Sequence, residues 1–226
     1  MNLQEHYETL YTESITKIKS GGLQTDSLID SDQDKRYGLT LRIRPDTILT
    51  TSIYNFLDQL LQIEPDQYYY PKSDIHVTVM SIISCYNDFN LQCISIPDYI
   101  NLIEQSIQAT KNIVIRFTGI TASPSCIMIK GFPEDETLHT IRNSLRTNFK
   151  NSSLEQSIDK RYSIQTAHAT IVRFKKPLTR MNEYLKMLDI YRDHDFGTLN
   201  TNILELVHND WYHRTKQVKQ LYTFKL

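Results

Sequence analysis

Ile75-His76-Val77-Thr78-Val79 and Ala167-His168-Ala169-Thr170-Ile171 are two copies of one pattern: an apolar residue, His, a second apolar residue, Thr, and a branched apolar residue. In an extended strand successive side chains alternate faces, so each copy sends His and Thr to one side and its apolar residues to the other. Each copy is therefore read as a strand that offers an imidazole and a hydroxyl together. A third His-x-Thr, His213-Arg214-Thr215, lies in Trp211-Tyr212-His213-Arg214-Thr215-Lys216. That stretch has no apolar alternation, reads as a loop, and is set aside.

The neighbourhoods of the two copies also match. Tyr37 to Arg44 has apolar residues at odd positions and Gly38, Thr40, Arg42 and Arg44 at even ones, as a strand would, and Pro45-Asp46 stops it. Ile48 to Ile63 follows with a helical apolar stripe, broken at Glu64-Pro65. An aromatic loop, Tyr68-Tyr69-Tyr70-Pro71, leads into the first motif strand, Asp74 to Ser81. The same order returns later: a strand over 125–130 closed by Gly131, an amphipathic helix over 134–149, a polar loop, and the second motif strand, Thr166 to Phe174. The spacing from Leu41 to His76 is 35 residues and from Ile129 to His168 is 39, which points to an internal duplication. Between the copies, Ile96 to Ala109 reads as a helix and Asn112 to Thr118 as a strand. After them come a helix over 181–191 and two strands, 202–208 and 218–226.

Strands that alternate polar and apolar residues carry helices on one face only. The expected fold is α+β and bilobal: duplicated antiparallel sheets, helices on the outer faces, and a central cleft that receives His76, Thr78, His168 and Thr170. Residues 2 to 20 repeat apolar positions at helical spacing and end at Gly21-Gly22. The chain is thus divided into an N-terminal helix and linker, 1–34, and the bilobal domain, 35–226. The helix is expected to pack on the body, with a lid or dimer arm as the alternative.

A formal net charge of −1 argues against a protein held to nucleic acid by bulk charge, and no stable duplex binding is expected. The charge is unevenly spread, with seven Lys and Arg against fifteen Asp and Glu in residues 1–110, and eighteen against eleven thereafter. That polarity suits guidance of an anionic substrate, or equally an acidic solvated surface on the first half. Cys85, Cys93 and Cys126 form neither a CxxC nor a metal-ligand spacing, which fits reduced thiols in a cytoplasmic protein. No run approaches the length of a membrane span and the N-terminus lacks a leader pattern, so no membrane association is expected.

Two imidazoles brought face to face handle both protons of a phosphoester reaction, one as base and one as acid, because His titrates near pH ~6.5. The two hydroxyls are suited to the non-bridging oxygens. Strand parity puts Arg42 on the face of Thr40, and Lys130 in the matching place in the second half, so both are candidate substrate-binding cations. Arg173, five residues from His168, faces away unless a bulge intervenes. The Tyr68–Tyr70 loop is able to stack on a base. No cofactor and no metal are expected, since neither motif carries a carboxylate or thiol on its polar face.

The two H-x-T-hydrophobic strands, 92 residues apart and each preceded by a strand and a helix, resemble the two-histidine (2H) phosphoesterase superfamily, which includes the bacterial RNA 2',3'-cyclic phosphodiesterases once called 2',5' RNA ligases. His168-Ala-Thr-Ile-Val-Arg173 is similar to the H-x-T-hydrophobic-x-Arg form of that branch, and the closing strand pair is similar to how such chains end. The resemblance covers residues 35 to 226. It implies one motif per lobe, the family's histidines at His76 and His168, its hydroxyls at Thr78 and Thr170, and His168 as base with His76 as acid. It further implies a metal-independent phosphodiesterase acting on a nucleotide or short oligonucleotide, a 2',3'-cyclic phosphate or a 2',5' linkage. The aromatic loop before His76 and Met80-Ser81-Ile82 after it depart from the RNA branch. The alternative is a nucleotide- or RNA-binding module of the same fold without catalysis, which would not require both His and both Thr.

Overall fold

The computed structural model describes residues 2–108, 110–161 and 163–226. Along the chain lie α1 (Leu3–Lys19), β1 (Arg36–Ile43), α2 (Thr47–Ile63), β2 (Tyr68–Tyr69), β3 (Val77–Asn87), α3 (Ile96–Ile107), β4 (Ile113–Ser123) and β5 (Cys126–Pro133). They are followed by α4 (Thr137–Lys150), β6 (Ala169–Arg173), α5 (Met181–Ile190), β7 (Asp195–Thr201), β8 (Ile203–Asp210) and β9 (Lys219–Lys225). Caps explain several boundaries. The Asn2 side chain accepts from the Gln4 amide at the start of α1, and Asp46 accepts from Leu49 at the start of α2. Ala109, where the sequence places the end of the third helix, lies outside the described residues.

All the strands join one antiparallel sheet in the order β7-β4-β5-β6-β3-β1-β8-β9, with β2 attached to β6. The halves β3-β1-β8-β9 and β6-β5-β4-β7 repeat each other from the inside outward, as the duplication requires. Where the sequence suggests two sheets, the structure fuses them at one residue pair, Val77 opposite Ala169. Each motif strand begins one residue after its His. The strand β7 escaped the alternation pattern because Phe196 and Leu199, its buried residues, are three apart, around Gly197 at φ +118°. The tyrosine loop is in part a strand, with Tyr68 opposite Arg173 and Tyr69 opposite Val172.

Apolar strand residues such as Leu39, Leu41, Val77, Val79, Ala169 and Ile171 are buried against the stripes of α2 and α4. The helix α1 packs on β4 through Tyr7, Tyr11, Ser14 and Ile18. Thr121 Oγ1 donates to the Tyr7 carbonyl at 3.1 Å, and Tyr11 Oη donates to Asp189 at 2.7 Å. The segment after α1 is also pinned, with the amides of Gln24 and Asp26 donating to the carbonyls of Pro124 and Phe174. Among the described residues no helix is long and apolar enough to cross a membrane.

Arg142 of α4, only 3% exposed, ties the two motif segments together. Its guanidinium donates to the carbonyls of Val79 at 3.0 Å, Thr78 at 2.9 Å and Thr166 at 2.9 Å. Burial pushes its pKa down to about 10, which still leaves it charged at neutral pH. Arg142→Met keeps the apolar stem and strands three carbonyls. The expected loss is about 3 kcal/mol or more of unfolding free energy. Urea titration of the two proteins at pH 7 measures it, and an unchanged midpoint would show that the motif seam does not depend on this side chain.

Candidate active site

The pair Val77–Ala169 sets the register of the site. In an antiparallel ladder it brings His76 opposite Thr170 and Thr78 opposite His168, all four on one face of the sheet. The four side chains line one cleft of about 180 Å³, together with Thr40, Ser81, Arg161, Arg173, Trp211 and His213. Both motif imidazoles are half-buried, and each is oriented through Nδ1. His76 Nδ1 lies 2.8 Å from the Asp74 carbonyl, which only accepts, so that nitrogen carries the proton. His168 Nδ1 lies 2.7 Å from Thr166 Oγ1, a hydroxyl able to donate or accept. Among the described residues Nε2 of each ring and the hydroxyls of Thr78 and Thr170 have no protein partner.

Burial pushes His76 down to about 4, with Arg42, His168 and Arg173 adding to the fall and the Asp74 carbonyl opposing it. Burial likewise brings His168 to about 4, helped by Arg142, Arg173 and His6. Both rings are therefore neutral at pH 7. The positive charge comes instead from Arg161 and Arg173, neither of which has a carboxylate partner among the described residues. Asp159, also on the rim, is held by Arg146 at 2.6 Å.

The two cations chosen from parity are placed differently. Arg42 lies opposite Thr78 on the same face, but its guanidinium is paired with Glu205 at 3.0 Å, is 3% exposed, and does not line the cleft. Lys130 is buried and reaches Glu8 of α1 at 3.5 Å and Asp193 at 3.6 Å. The reason is the helix α1. Thr170 is opposite Met128, Met128 is opposite Thr121, and Thr121 bonds α1. The helix thus covers the second half of the face that the cleft uses in the first half.

Sequence reasoning passed over Arg173, Arg161 and His213. Arg173 reaches the cleft through an irregularity in β6: Ile127 pairs with Val172 but Met128 with Thr170, so Ile171 is the extra residue that resets the alternation. Its Nε donates to Tyr70 Oη at 2.9 Å. His213 does sit in a loop, between β8 and β9, yet that loop folds its ring onto His76 at a centroid distance of 3.8 Å. Trp211 from the same loop lies under Arg36 at 4.7 Å and Arg161 at 4.9 Å. Tyr68 packs edge-on against Tyr70, and Tyr69 donates to the Glu64 carbonyl, so these two rings are engaged in packing. Among the described residues no three His, Cys, Asp or Glu side chains are grouped as a metal site.

No family model and no curated protein matches the sequence. Solved structures do match in fold. TT0787 of Thermus thermophilus is 17% identical with a TM-score of 0.58, over 84% of this chain and 97% of that one. E. coli LigT crystallised with 3'-AMP is 11% identical with a TM-score of 0.57, over 84% and 98%. A conserved protein of unknown function from Agrobacterium tumefaciens is 13% identical with a TM-score of 0.57, over 93% and 98%. The chain has the α+β fold of these proteins.

The depressed imidazoles make stability sensitive to acid. The unfolded chain takes up protons on His76 and His168 from about pH 6.5 downward, whereas the folded chain does so only near 4. Their contribution to stability is complete above about 6.5 and is lost as pH falls through that window. A His76→Gln/His168→Gln protein is expected to lose less stability than the parent between pH 7 and pH 4.5. Urea midpoints at the two pH values test this, and equal losses would contradict it.

Proposed function

We propose that this chain is a metal-independent phosphodiesterase that hydrolyses a nucleotide phosphodiester, a 2',3'-cyclic phosphate or a 2',5' linkage in a short oligonucleotide. The observation that carries this reading is the His–Thr square: two oriented imidazoles and two unengaged hydroxyls on one face, with Nε2 of each ring open. In the proposed step His168 Nε2 takes a proton from water as the water oxygen attacks phosphorus. His76 Nε2–H gives a proton to the leaving ribose oxygen as the P–O bond breaks. The assignment of the acid to His76 is supported by its Nδ1–H···O=C bond to Asp74, which favours the charged ring. The Thr166 hydroxyl, by accepting from His168 Nδ1–H, would leave the lone pair on Nε2 where a base needs it.

Thr78 and Thr170 are assigned to the non-bridging oxygens, and Arg173 with Arg161 to the charge of the diester. Because α1 covers the second wing, the substrate is assigned to the first, along Thr40, Ser81 and Trp211. A nucleotide ligand is also in keeping with the E. coli LigT structures, which hold 3'-AMP, phosphate, ATP and NADP+.

His76→Ala and His168→Ala are each expected to lower turnover on the order of 10²–10⁴-fold, since each ring carries a separate proton. The double variant should be little worse than the worse single one, because both act on one step. Steady-state assays decide, and near-normal turnover in either single variant removes the assignment.

For substrate, a panel of 2',3'-cyclic, 3',5'-cyclic, 2',5'-linked and 3',5'-linked nucleotides beside a phosphomonoester is read by chromatography, with the His168→Ala protein as blank. Cleavage of the 2',3'-cyclic or 2',5'-linked members, unaffected by excess EDTA, is expected. Turnover of the monoester alone, or of nothing, would shift weight to a binding module. Loss on chelation with recovery on one added metal would point to metal-assisted hydrolysis.

A further inference from the structure

Three histidines line the cleft, and the third, His213, has no part in the proton transfers described above. Its position is costly. Its backbone stands at φ +56°, a left-handed conformation uncommon for a residue with a side chain. Its amide donates to the Asp210 carbonyl at 3.2 Å, closing the turn that drives the ring inward. The ring is 7% exposed and lies against His76 at 29° between planes.

The protonation state of His213 follows from Asn209. The Asn209 Nδ2 donates to the Asp210 carbonyl at 3.0 Å, which fixes the orientation of the amide, and the same Nδ2 lies 3.0 Å from His213 Nε2. An amide nitrogen only donates, so Nε2 of His213 accepts and the neutral ring carries its proton on Nδ1. Protonating Nε2 would set one N–H against another. The groups facing this ring are His76 just before β3, Arg42 of β1 and Arg173 of β6. None of them favours a cation there, and the nearby Asp210 carboxylate is taken by Arg214 at 2.7 Å.

We propose that His213 is a positioning residue for His76: an imidazole kept neutral by the Asn209 amide, whose face supports the His76 imidazolium while that ring holds the proton of the reaction. A neutral ring beneath a cationic one stabilises it, whereas two stacked cations repel. The Asn209 contact thereby reserves the proton for the ring whose Nε2 is open. This inference rests on the phosphodiesterase reading, and it adds the device that lets a buried, depressed histidine act as an acid.

The test compares His213→Phe, His213→Ala and Asn209→Asp. Phenylalanine keeps an aromatic face without a nitrogen, so its kcat should exceed that of the alanine variant by about 10-fold, with KM similar in the two. Asn209→Asp offers a carboxylate to His213 and favours its charged form, so kcat should fall while KM for the anionic substrate does not rise. NMR titration of the His76 ring needs no substrate: the pKa is expected lower than in the parent both for Asn209→Asp and for His213→Ala. A phenylalanine variant as poor as the alanine one, or an unchanged His76 titration in Asn209→Asp, would overturn the proposal. Asn209→Asp leaves the strained backbone of residue 213 in place, so the titration still decides if His213→Ala fails to fold. Failure on every phosphodiester with the His76 shifts intact would separate a wrong substrate from a wrong role for His213.

Discussion

One antiparallel pair, Val77 with Ala169, determines where the four motif side chains of the cleft stand. Because strand side chains alternate with a period of two, a slip of one residue at this seam would send the histidine and threonine of one motif into the apolar layer while the other motif kept its face. So short a ladder is weak in itself. It is held by Arg142, which satisfies carbonyls on both sides of the seam, and by helices that reach across it. The helix α2, which follows the first-half strand β1, packs on β7 of the second half, and α4, from the second half, packs on β3. The halves are interlocked, so the seam is a consequence of the whole core and not of its own hydrogen bonds.

The duplication makes the scaffold symmetric, but the chain does not use it symmetrically. Arg42 and Lys130 occupy matching strands, and both have become internal partners of carboxylates, Glu205 in one case and Glu8 with Asp193 in the other. Glu8 belongs to α1, so the added N-terminal helix converts one wing of the face into core. Arg42 still influences the site, because its charge lowers the pKa of His76 without its guanidinium lining the cleft. A single open wing then runs toward Trp211 and Arg161, with polar residues along its floor.

What was legible in the sequence is what periodicity encodes. The motif strands, their partner strands and the following helices have regular apolar spacing, and regular spacing survives into the fold as β1, α2 and β3, then β5, α4 and β6. The positions that sequence reasoning set aside or did not reach are those where the backbone departs from its period. The extra residue Ile171 turns Arg173 back into the cleft, Gly197 interrupts the alternation of β7, and His213 is aimed by a left-handed turn. His213-Arg214-Thr215 was visible as a third His-x-Thr, and its reading as a loop holds. Nothing local in that loop encodes the distance across the fold that stacks its histidine on His76.

The electrostatics of the cleft lead to one further step about the proposed chemistry. Burial beside Arg173 leaves His76 and His168 uncharged at neutral pH, although an acid must carry a proton. Arg173, which depresses both imidazoles, has no carboxylate partner among the described residues, so an entering phosphodiester supplies the missing negative charge. Once that charge offsets Arg173 and Arg161, protonation of one imidazole costs less, and the Asp74 carbonyl favours His76 as the ring that takes it. His168, without a carbonyl at Nδ1, is left as the base. On this reading the asymmetry between two nearly identical motifs resides in the second atom each histidine touches, a carbonyl in one copy and a hydroxyl in the other.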